Sequence, residues 1–325
     1  MPLDYNFNRK KEEIPETRAE TQREKVTKAE KPFAVQEPKY SFDDIVLTEH
    51  VYGDIRTAIA YEIHRDLLMN AWGMKKLYPE RKGLMINLYG ESGTGKTMVA
   101  HAVARKLNKK IIVVNYAEIE SKYVGETSKN LVRLFKEAQE KDAVLLFDEA
   151  DALLSKRVTN MLSSNDVSVN QTKSVLLNIL NDYSGIVVFT TNFISNYDYA
   201  FVRRIPFQIR FLLPDEKQRK MLWEHYLSVG IPYRCDVAKI AEKYKGVSGS
   251  DIANAVWMAA LEAAEREESV VCEERFCTAI EKIMVAKADN HALNDQQDDA
   301  RIVSVREVDE EYAKRQIEKG KRELC

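Results

Sequence analysis

Residues 84–97 read Leu84-Met85-Ile86-Asn87-Leu88-Tyr89-Gly90-Glu91-Ser92-Gly93-Thr94-Gly95-Lys96-Thr97. An apolar run leads into a loop with three glycines, and a helical pattern follows the threonine. This succession of strand, loop and helix is the context in which the pattern G-x-x-x-x-G-K-[ST] binds phosphate. Glycines let backbone N–H groups converge on phosphate oxygens, and the positive end of the following helix points toward them. The stretch therefore predicts a P-loop.

Polar residues at three strand ends predict the chemistry of the site. Lys96 would neutralise phosphate oxygens, and the Thr97 hydroxyl would bind Mg²⁺. A second metal-holding group is expected on a neighbouring strand, and the apolar run from residue 143 ends in Asp148 and Glu149. Asp148 is predicted to hold the hydration shell of Mg²⁺, and Glu149 to polarise the attacking water as a general base. Asn192, which ends another apolar run, would orient that water or contact the γ-phosphate.

Short apolar runs alternate with helical segments along the first two thirds of the chain. Continuous apolar runs of this length suit strands buried on both faces of a sheet. They are Leu84–Tyr89, Ile111–Val114, Ala143–Phe147, Ile186–Thr190 and Phe207–Phe211. Residues 128–141 have the 3.6-residue period of a helix packed on a sheet, with a stripe formed by Leu131, Val132, Leu134, Phe135 and Ala138. This alternation predicts an α/β fold, a P-loop NTPase with a doubly wound parallel sheet.

The pattern changes after Pro214, where strands are no longer expected. Four helices are predicted instead, at Asp215–Val229, Asp236–Tyr244, Ser250–Ala264 and Glu273–Val285. Residues 1–40 are rich in charged residues and proline, a composition typical of a flexible arm. The predicted organisation is thus an arm (1–40), a large nucleotide-binding domain (41–212), a small helical lid domain (213–287), and a polar linker with a C-terminal helix (288–325).

The overall composition excludes several classes of protein. The chain has 325 residues, 49 Lys and Arg against 51 Asp and Glu, and a net charge of -2, which argues against direct binding of nucleic acid or anionic membrane as its main role. Four cysteines without C-x-x-C spacing and five scattered histidines predict neither a disulfide framework nor a zinc site. No apolar run approaches the length of a membrane span, so we expect a cytoplasmic protein.

The order of these motifs resembles the AAA ATPases of the group that contains FtsH-type proteases and the spastin and katanin severing enzymes. The resemblance covers roughly residues 41–287. Besides the P-loop, Asp148-Glu149 and Asn192, it includes the opening stretch 42–46, the pair Arg203-Arg204, and the stretch 246–251. The P-loop has Glu91-Ser92 where this family usually has two prolines, a change that leaves the phosphate-contacting residue types in place.

The resemblance implies ATP and Mg²⁺ as ligands and assigns roles by position. Thr97 and Asp148 would hold the metal. Arg203 and Arg204 would be arginine fingers that act on the γ-phosphate of the neighbouring subunit, completing a catalytic set with Lys96, Glu149 and Asn192. The nucleotide-binding residues would be Asp44, Val46, Gly90, Glu91, Ser92, Gly93, Thr94, Gly95, Lys96, Thr97, Met98, His225, Gly249 and Ser250.

The segment around Lys122-Tyr123-Val124 resembles the family's pore loop, an aromatic and an aliphatic residue before a glycine hinge. The polar stretch 157–170 would be a second pore loop. The resemblance thus implies a homo-oligomer, a hexameric ring that hydrolyses ATP and remodels, unfolds or disassembles a protein substrate through its pore. Two alternatives stay open, namely an ATP-switched scaffold or loader for a nucleic-acid-processing or other complex, and an ATPase subunit that feeds a separate protease.

Overall fold

The computed structural model of the chain describes residues 33–115, 126–156, 164–192 and 197–289. Contacts divide the chain into two units, residues 1–34 and residues 35–325. The strands of the second unit are β1 (Leu84–Gly90), β2 (Lys110–Asn115), β3 (Ala143–Asp148), β4 (Ile186–Thr191), β5 (Phe207–Phe211), β6 (Tyr233–Arg234) and β7 (Val271–Cys272). Its helices are α1 (Glu49–Ile63), α2 (Lys96–Lys106), α3 (Glu126–Glu140), α4 (Asp151–Leu154), α5 (Ser164–Asp182), α6 (Tyr199–Val202), α7 (Glu216–Leu227), α8 (Val237–Lys243), α9 (Gly249–Glu265) and α10 (273–289).

Five parallel strands form the main sheet in the order β2-β3-β4-β1-β5. The strand carrying the P-loop lies between β4 and β5, which pair with it from far along the chain. The apolar residues of β3 and β4 are buried on both faces of the sheet, as continuous apolar runs require. The predicted α/β fold with a doubly wound parallel sheet is confirmed, and each predicted strand matches to within one residue at either end.

Helix α3 packs on this sheet through four of the five predicted stripe residues, Leu131, Leu134, Phe135 and Ala138, which are all buried. The prediction for Val132 was wrong, because its side chain is 52% exposed. One residue advances the direction of a side chain by about 100° around a helix, so the neighbour of a buried residue commonly faces water.

Residues after Pro214 form four helices, α7 to α10, around a second apolar core. Trp223 and Phe276 meet edge-to-face at its centre, with ring centroids 5.8 Å apart. The expectation that strands stop was wrong in one detail, because β6 and β7 pair as a two-stranded parallel sheet. Two-residue strands have no periodicity from which they could be predicted. The boundaries at residues 41, 212 and 287 stay predictions.

Helix α1 and the first seven residues of helix α5 were not predicted. Helix α1 begins after Thr48, whose hydroxyl accepts the N–H of Val51 at 3.0 Å, and it buries Val51, Ile55, Ala58 and Ile59. Helix α5 begins at Ser164, so the later part of the proposed second pore loop is helical. Within the described ranges, no helix has the length and apolar character needed to cross a bilayer.

Candidate active site

A cavity of about 660 Å³ lies at the carboxyl ends of the parallel strands, where open α/β sheets bind their ligands. Its walls come from the P-loop, the ends of β3, β4 and β5, residues 44–48 with His50 and Val51, and the helical lid. Nearly all predicted nucleotide-binding residues are found on this wall, namely Asp44, Val46, Ser92, Gly93, Thr94, Gly95, Lys96, Thr97, Met98, Gly249 and Ser250.

The P-loop depends on two glycines that no other residue could replace without displacement of a neighbour. A Cβ atom on Gly90 would lie 1.9 Å from the carbonyl oxygen of Phe211 on β5. Gly93 has a φ of +74°, and a Cβ there would lie 2.0 Å from the Ser250 hydroxyl of the lid. The Ser250 N–H also donates to the carbonyl of Gly93 at 3.1 Å. The loop is therefore in direct contact with both the sheet edge and the lid.

Lys96 begins helix α2 and is 7% exposed. Its ammonium donates to the carbonyl oxygens of Gly90 and Glu91, each at 2.8 Å, which holds the charge inside the loop. Burial lowers the pKa of Lys96 below its ordinary value, and the carboxylates of Asp151 and Asp148 oppose that shift. A concentrated positive charge in a partly dry loop suits the binding of phosphate oxygens.

Asp148 ends β3 and accepts two hydroxyl hydrogen bonds at Oδ1. Thr97 donates from the P-loop helix at 2.9 Å, and Thr190 donates from β4. The Thr190 hydroxyl also accepts the backbone N–H of Glu149 at 3.0 Å. Thr190 thus connects the two acidic residues, a role that its identity as a polar residue inside the apolar run 186–190 could have suggested.

Glu149 adopts a left-handed backbone conformation, with a φ of +51°. A non-glycine residue in this conformation carries strain of order 1 kcal/mol, which neighbouring hydrogen bonds must offset. The bond from Glu149 N–H to Thr190 and the bond from Ala150 N–H to the Thr190 carbonyl at 2.8 Å do so here. Asn192 also lines the cavity, and its backbone N–H donates to Asp151 at 3.0 Å. The structure therefore brings together Lys96, Thr97, Asp148, Glu149 and Asn192.

The lid contributes the amino end of helix α9. Ser248 caps this helix, because its hydroxyl accepts the Asp251 N–H while Asp251 accepts the Ser248 N–H at 2.7 Å. The capping box fixes the first turn, so Gly249 and Ser250 lie on the cavity wall beside the P-loop. The positive end of a helix dipole adds to the attraction for an anion at this point.

The opposite wall is apolar and was only partly anticipated. It includes Leu47, Val51, Leu222 and Tyr226, none of which was singled out from the sequence. His225 is half-buried and is not among the residues that line the cavity, whereas its neighbour Tyr226 is. The proposed contact of His225 with the nucleoside stays a prediction.

Arg203 and Arg204 lie apart from this cavity. They line a separate groove with Tyr61, Arg81 and Asn181. Arg204 is fixed there, since its Nε donates to the Asn181 side chain at 2.7 Å and its guanidinium donates to the Ala200 carbonyl at 2.9 Å. Neither arginine lines the cavity of its own chain. The predicted pore-loop residues Lys122, Tyr123 and Val124 lie outside the described residues.

The oxygen atoms around Asp148 fit a magnesium ion. A threonine hydroxyl and a carboxylate on adjacent elements, beside a phosphate-binding loop, match its preference for oxygen ligands shared with substrate phosphates. Across the ranges that the structure covers, no cluster of three His, Cys, Asp or Glu side chains could hold a metal by itself. A site with only two protein ligands would therefore depend on nucleotide and water oxygens for the remainder.

The parallel sheet, the P-loop and the acidic residues after β3 define a P-loop NTPase domain with a helical lid. Residues 86–214 match the family model described as "ATPase family associated with various cellular activities (AAA)". The chain therefore contains an AAA ATPase domain, as the resemblance predicted.

Curated relatives agree with this assignment. The chain is 33% identical over 232 residues to cell division protein C of Sulfolobus acidocaldarius, which covers 68% of this chain and 59% of that protein. It is 31% identical over 255 residues to the 26S proteasome regulatory subunit 8 homolog of Schizosaccharomyces pombe. That alignment covers 76% of this chain and 62% of the relative. It is 28% identical over 260 residues to the proteasome-activating nucleotidase of Methanopyrus kandleri, in an alignment that covers 78% of this chain and 58% of the relative. The chain thus spans about 60% of the length of these relatives.

Proposed function

We propose that this chain hydrolyses ATP within a ring of identical subunits and uses the cycle to remodel a protein substrate. The observation that carries this proposal is the junction of three elements at Asp148. There the P-loop helix, β3 and β4 are tied by the hydroxyls of Thr97 and Thr190, and Glu149 is held beside them. The arrangement supports phosphoryl transfer to water, because charge neutralisation and a base are held at one strand end.

In the proposed reaction each residue has one task. Lys96 holds the β- and γ-phosphate oxygens. Thr97 and Asp148 would hold Mg²⁺, which would supply further neutralisation of phosphate charge. Glu149 takes a proton from a water molecule as the water oxygen bonds to the γ-phosphorus, and Asn192 orients that water. The bond from this phosphorus to the bridging oxygen breaks, and ADP leaves with the electron pair.

The arginines support action between subunits. Arg204 is held by Asn181 and Ala200 on a face that does not line its own cavity. In a ring, that face would present Arg203 and Arg204 to the cavity of the next subunit. An arginine supplied to the transition state in this way is worth roughly 10³ to 10⁵ in rate.

The proposed protein substrate is supported by two relatives whose names place them with proteasomes. Another relative is named for cell division, so the proposal goes no further than a protein substrate gripped by Tyr123 in the pore. Remodelling predicts that Tyr123→Ala retains ATPase activity and loses the substrate-coupled output. Retention of that output in this variant would favour the scaffold or loader.

The decisive experiment is a complementation assay of steady-state ATPase activity. Glu149→Gln and Arg204→Ala, each alone, should lose at least about 100-fold in rate. A mixture should recover part of the activity, because a Glu149→Gln subunit still supplies arginine to an Arg204→Ala neighbour with an intact base. Arg234→Ala, in the exposed β6 of the lid, is the matched control. Full activity in Glu149→Gln, or in a verified monomer, would overturn the mechanism.

A further inference from the structure

Residues 36–48 form a segment, here called the strap, that links the edge of the sheet to the cavity. At its start, Gln36 pairs with Ile111 of β2 through both backbone groups, at 2.9 and 3.0 Å. At its end, residues 44–48 line the cavity wall. Ile45 packs against the core of the sheet and Val46 against the core of the lid, so the strap contacts both apolar cores.

Helix α2 holds the middle of the strap. The Lys39 N–H donates to Nδ1 of His101 at 3.3 Å, and the Tyr40 ring meets the imidazole edge-to-face at 5.8 Å. One turn further along, Arg105 donates to the Pro38 carbonyl at 3.0 Å. The spacing of Thr97, His101 and Arg105 is four residues, which places them on one side of the helix. Helix α2, which carries the proposed metal ligand Thr97, therefore also carries His101 and Arg105, the two residues that anchor the strap.

His101 is 3% exposed and lies between small apolar neighbours, where a polar side chain requires a partner. Only a neutral imidazole can accept the Lys39 N–H at Nδ1, because both nitrogens of the protonated ring are donors. Burial lowers the pKa of His101 below 6.5, and the Lys39 ammonium acts in the same direction. The carboxylate of Asp148 on β3 opposes the shift.

We propose that His101 is a positioning residue that sets nucleotide affinity by anchoring the strap to the phosphate-binding helix. The inference rests on the proposed function in one respect, since it takes the cavity to be the nucleotide site. Loss of the Nδ1 acceptor would loosen the middle of the strap, which Arg105 alone would then hold by a hydrogen bond, and the wall formed by residues 44–48 would be less preorganised. The cost of ordering it would then be subtracted from binding.

Two substitutions separate this role from simple packing. His101→Phe keeps a ring against Tyr40 and removes the acceptor. His101→Asn places Oδ1 near the position of Nδ1 and leaves a void where the ring was. We expect His101→Phe to weaken the binding of Mg·ADP by about five- to tenfold, the effect of one lost hydrogen bond. His101→Asn should keep the affinity within about twofold and have the lower melting temperature.

The measurements are isothermal titration calorimetry with Mg·ADP, thermal unfolding, and kcat at saturating ATP, all on the full chain. The kcat of both variants should equal that of the wild type. The affinity of the wild type should also fall when acid pH protonates His101, at a pH below the range usual for histidine, whereas His101→Asn lacks this step. His64→Phe and His64→Asn, at an exposed histidine after α1, are the matched controls.

An affinity order that follows the melting temperatures, or an unchanged affinity in His101→Phe, would overturn the inference and leave the proposed function intact. A wild-type affinity that falls no more than that of His101→Asn over the whole acid range in which the chain stays folded would do the same. A wild-type chain that does not bind Mg·ADP would instead overturn the proposed function itself.

Discussion

The two walls of the cavity are built in different ways. The phosphate side consists of strand ends and the P-loop. Hydrogen bonds hold Lys96 to the carbonyl oxygens of Gly90 and Glu91, and they join Thr97, Asp148, Thr190 and Glu149 to one another. The strap side consists of residues 44–48 with Leu222 and Tyr226 of the lid, which meet mainly through apolar contact. The phosphate side thus depends on a few hydrogen bonds of defined geometry, and the strap side on apolar packing between the strap and the lid. Substitutions on the phosphate side should therefore change the rate, and those on the strap side the affinity.

Among the substitutions that test this difference between the two sides, Thr190→Val on the phosphate side should have the largest effect. Valine has the same shape and lacks the hydroxyl that holds Asp148 and the Glu149 N–H. We expect kcat for ATP hydrolysis to fall by about 10- to 100-fold with little change in nucleotide affinity, because misplaced catalytic groups lose rate steeply. Thr191→Val is the control, since that buried hydroxyl makes no hydrogen bond among the described residues. Equal losses in both variants would contradict the role of Thr190.

Gly93→Ala tests the contact between the two sides. An added Cβ would displace Ser250 and with it the amino end of α9, so nucleotide affinity should fall by about tenfold. Gly246 has a similar φ of +77°, with no atom within 4 Å of an added Cβ. Gly246→Ala therefore carries the same backbone strain of about 1 kcal/mol without the clash. Calorimetry should show weak binding only for Gly93→Ala.

Val46→Ala tests the strap side alone. Val46 lines the cavity and packs on the lid core, so its truncation removes apolar contact without removing a hydrogen bond. We expect nucleotide affinity to weaken by about fivefold with kcat unchanged, since roughly 1 kcal/mol is lost for the removed methyl groups. Val229→Ala, exposed in the lid, should change neither quantity. A loss of kcat in Val46→Ala would remove the distinction between the two sides.

The smallest effect concerns the salt bridge behind α9, where Lys287 donates to Asp251 at 2.9 Å. Burial alone would raise the pKa of Asp251, but the Ser248 N–H and Lys287 outweigh it and lower that pKa below 3.8. A lowered pKa contributes stability above pH 3.8 that is lost as the pH falls through the folded-state value.

Lys287→Met should raise this pKa, reducing the free energy of unfolding at pH 7 by less than about 1 kcal/mol. It should also flatten the loss of stability toward acid pH. Denaturant unfolding at pH 7 and pH 3 measures both effects. Lys243→Met removes a more exposed pair with Glu281 and should change stability less. A larger effect of Lys243→Met would show that burial of the bridge near α9 does not matter.

The sequence predicts the phosphate side well for a physical reason. Its residues lie at the ends of strands buried on both faces, so an apolar run followed by Asp148 or Asn192 marks the position directly. The strap side has no such signal, because Val46, Leu222 and Tyr226 are brought together only by tertiary packing. The resemblance assigned the nucleoside contact to His225, whereas its neighbour Tyr226 lines the cavity. Resemblance alone does not determine which of two adjacent helical residues faces a cavity.

Errors in the fold have similar causes. Val132 is next to a buried residue, and only the exact rotation of α3 decides that it faces water. No run of charged residues marks the ends of helix α1. The capping residue Thr48 and the helical spacing of Val51, Ile55 and Ile59 could nevertheless have indicated this helix. The strands β6 and β7 are too short for any periodic signal.

The strand order also constrains when the site can form. Leu84 of β1 pairs with Ile186, and Ile86 pairs with Phe207. Strand β1 can therefore pair only with strands that lie about 100 residues later in the chain. Pairings this distant slow folding, because a long loop must close before they contribute. During synthesis, the P-loop leaves the ribosome well before the strands that hold it in place. Nucleotide should therefore bind a nascent chain only after β5 has emerged, and truncation before Phe211 should yield a chain that depends on chaperones.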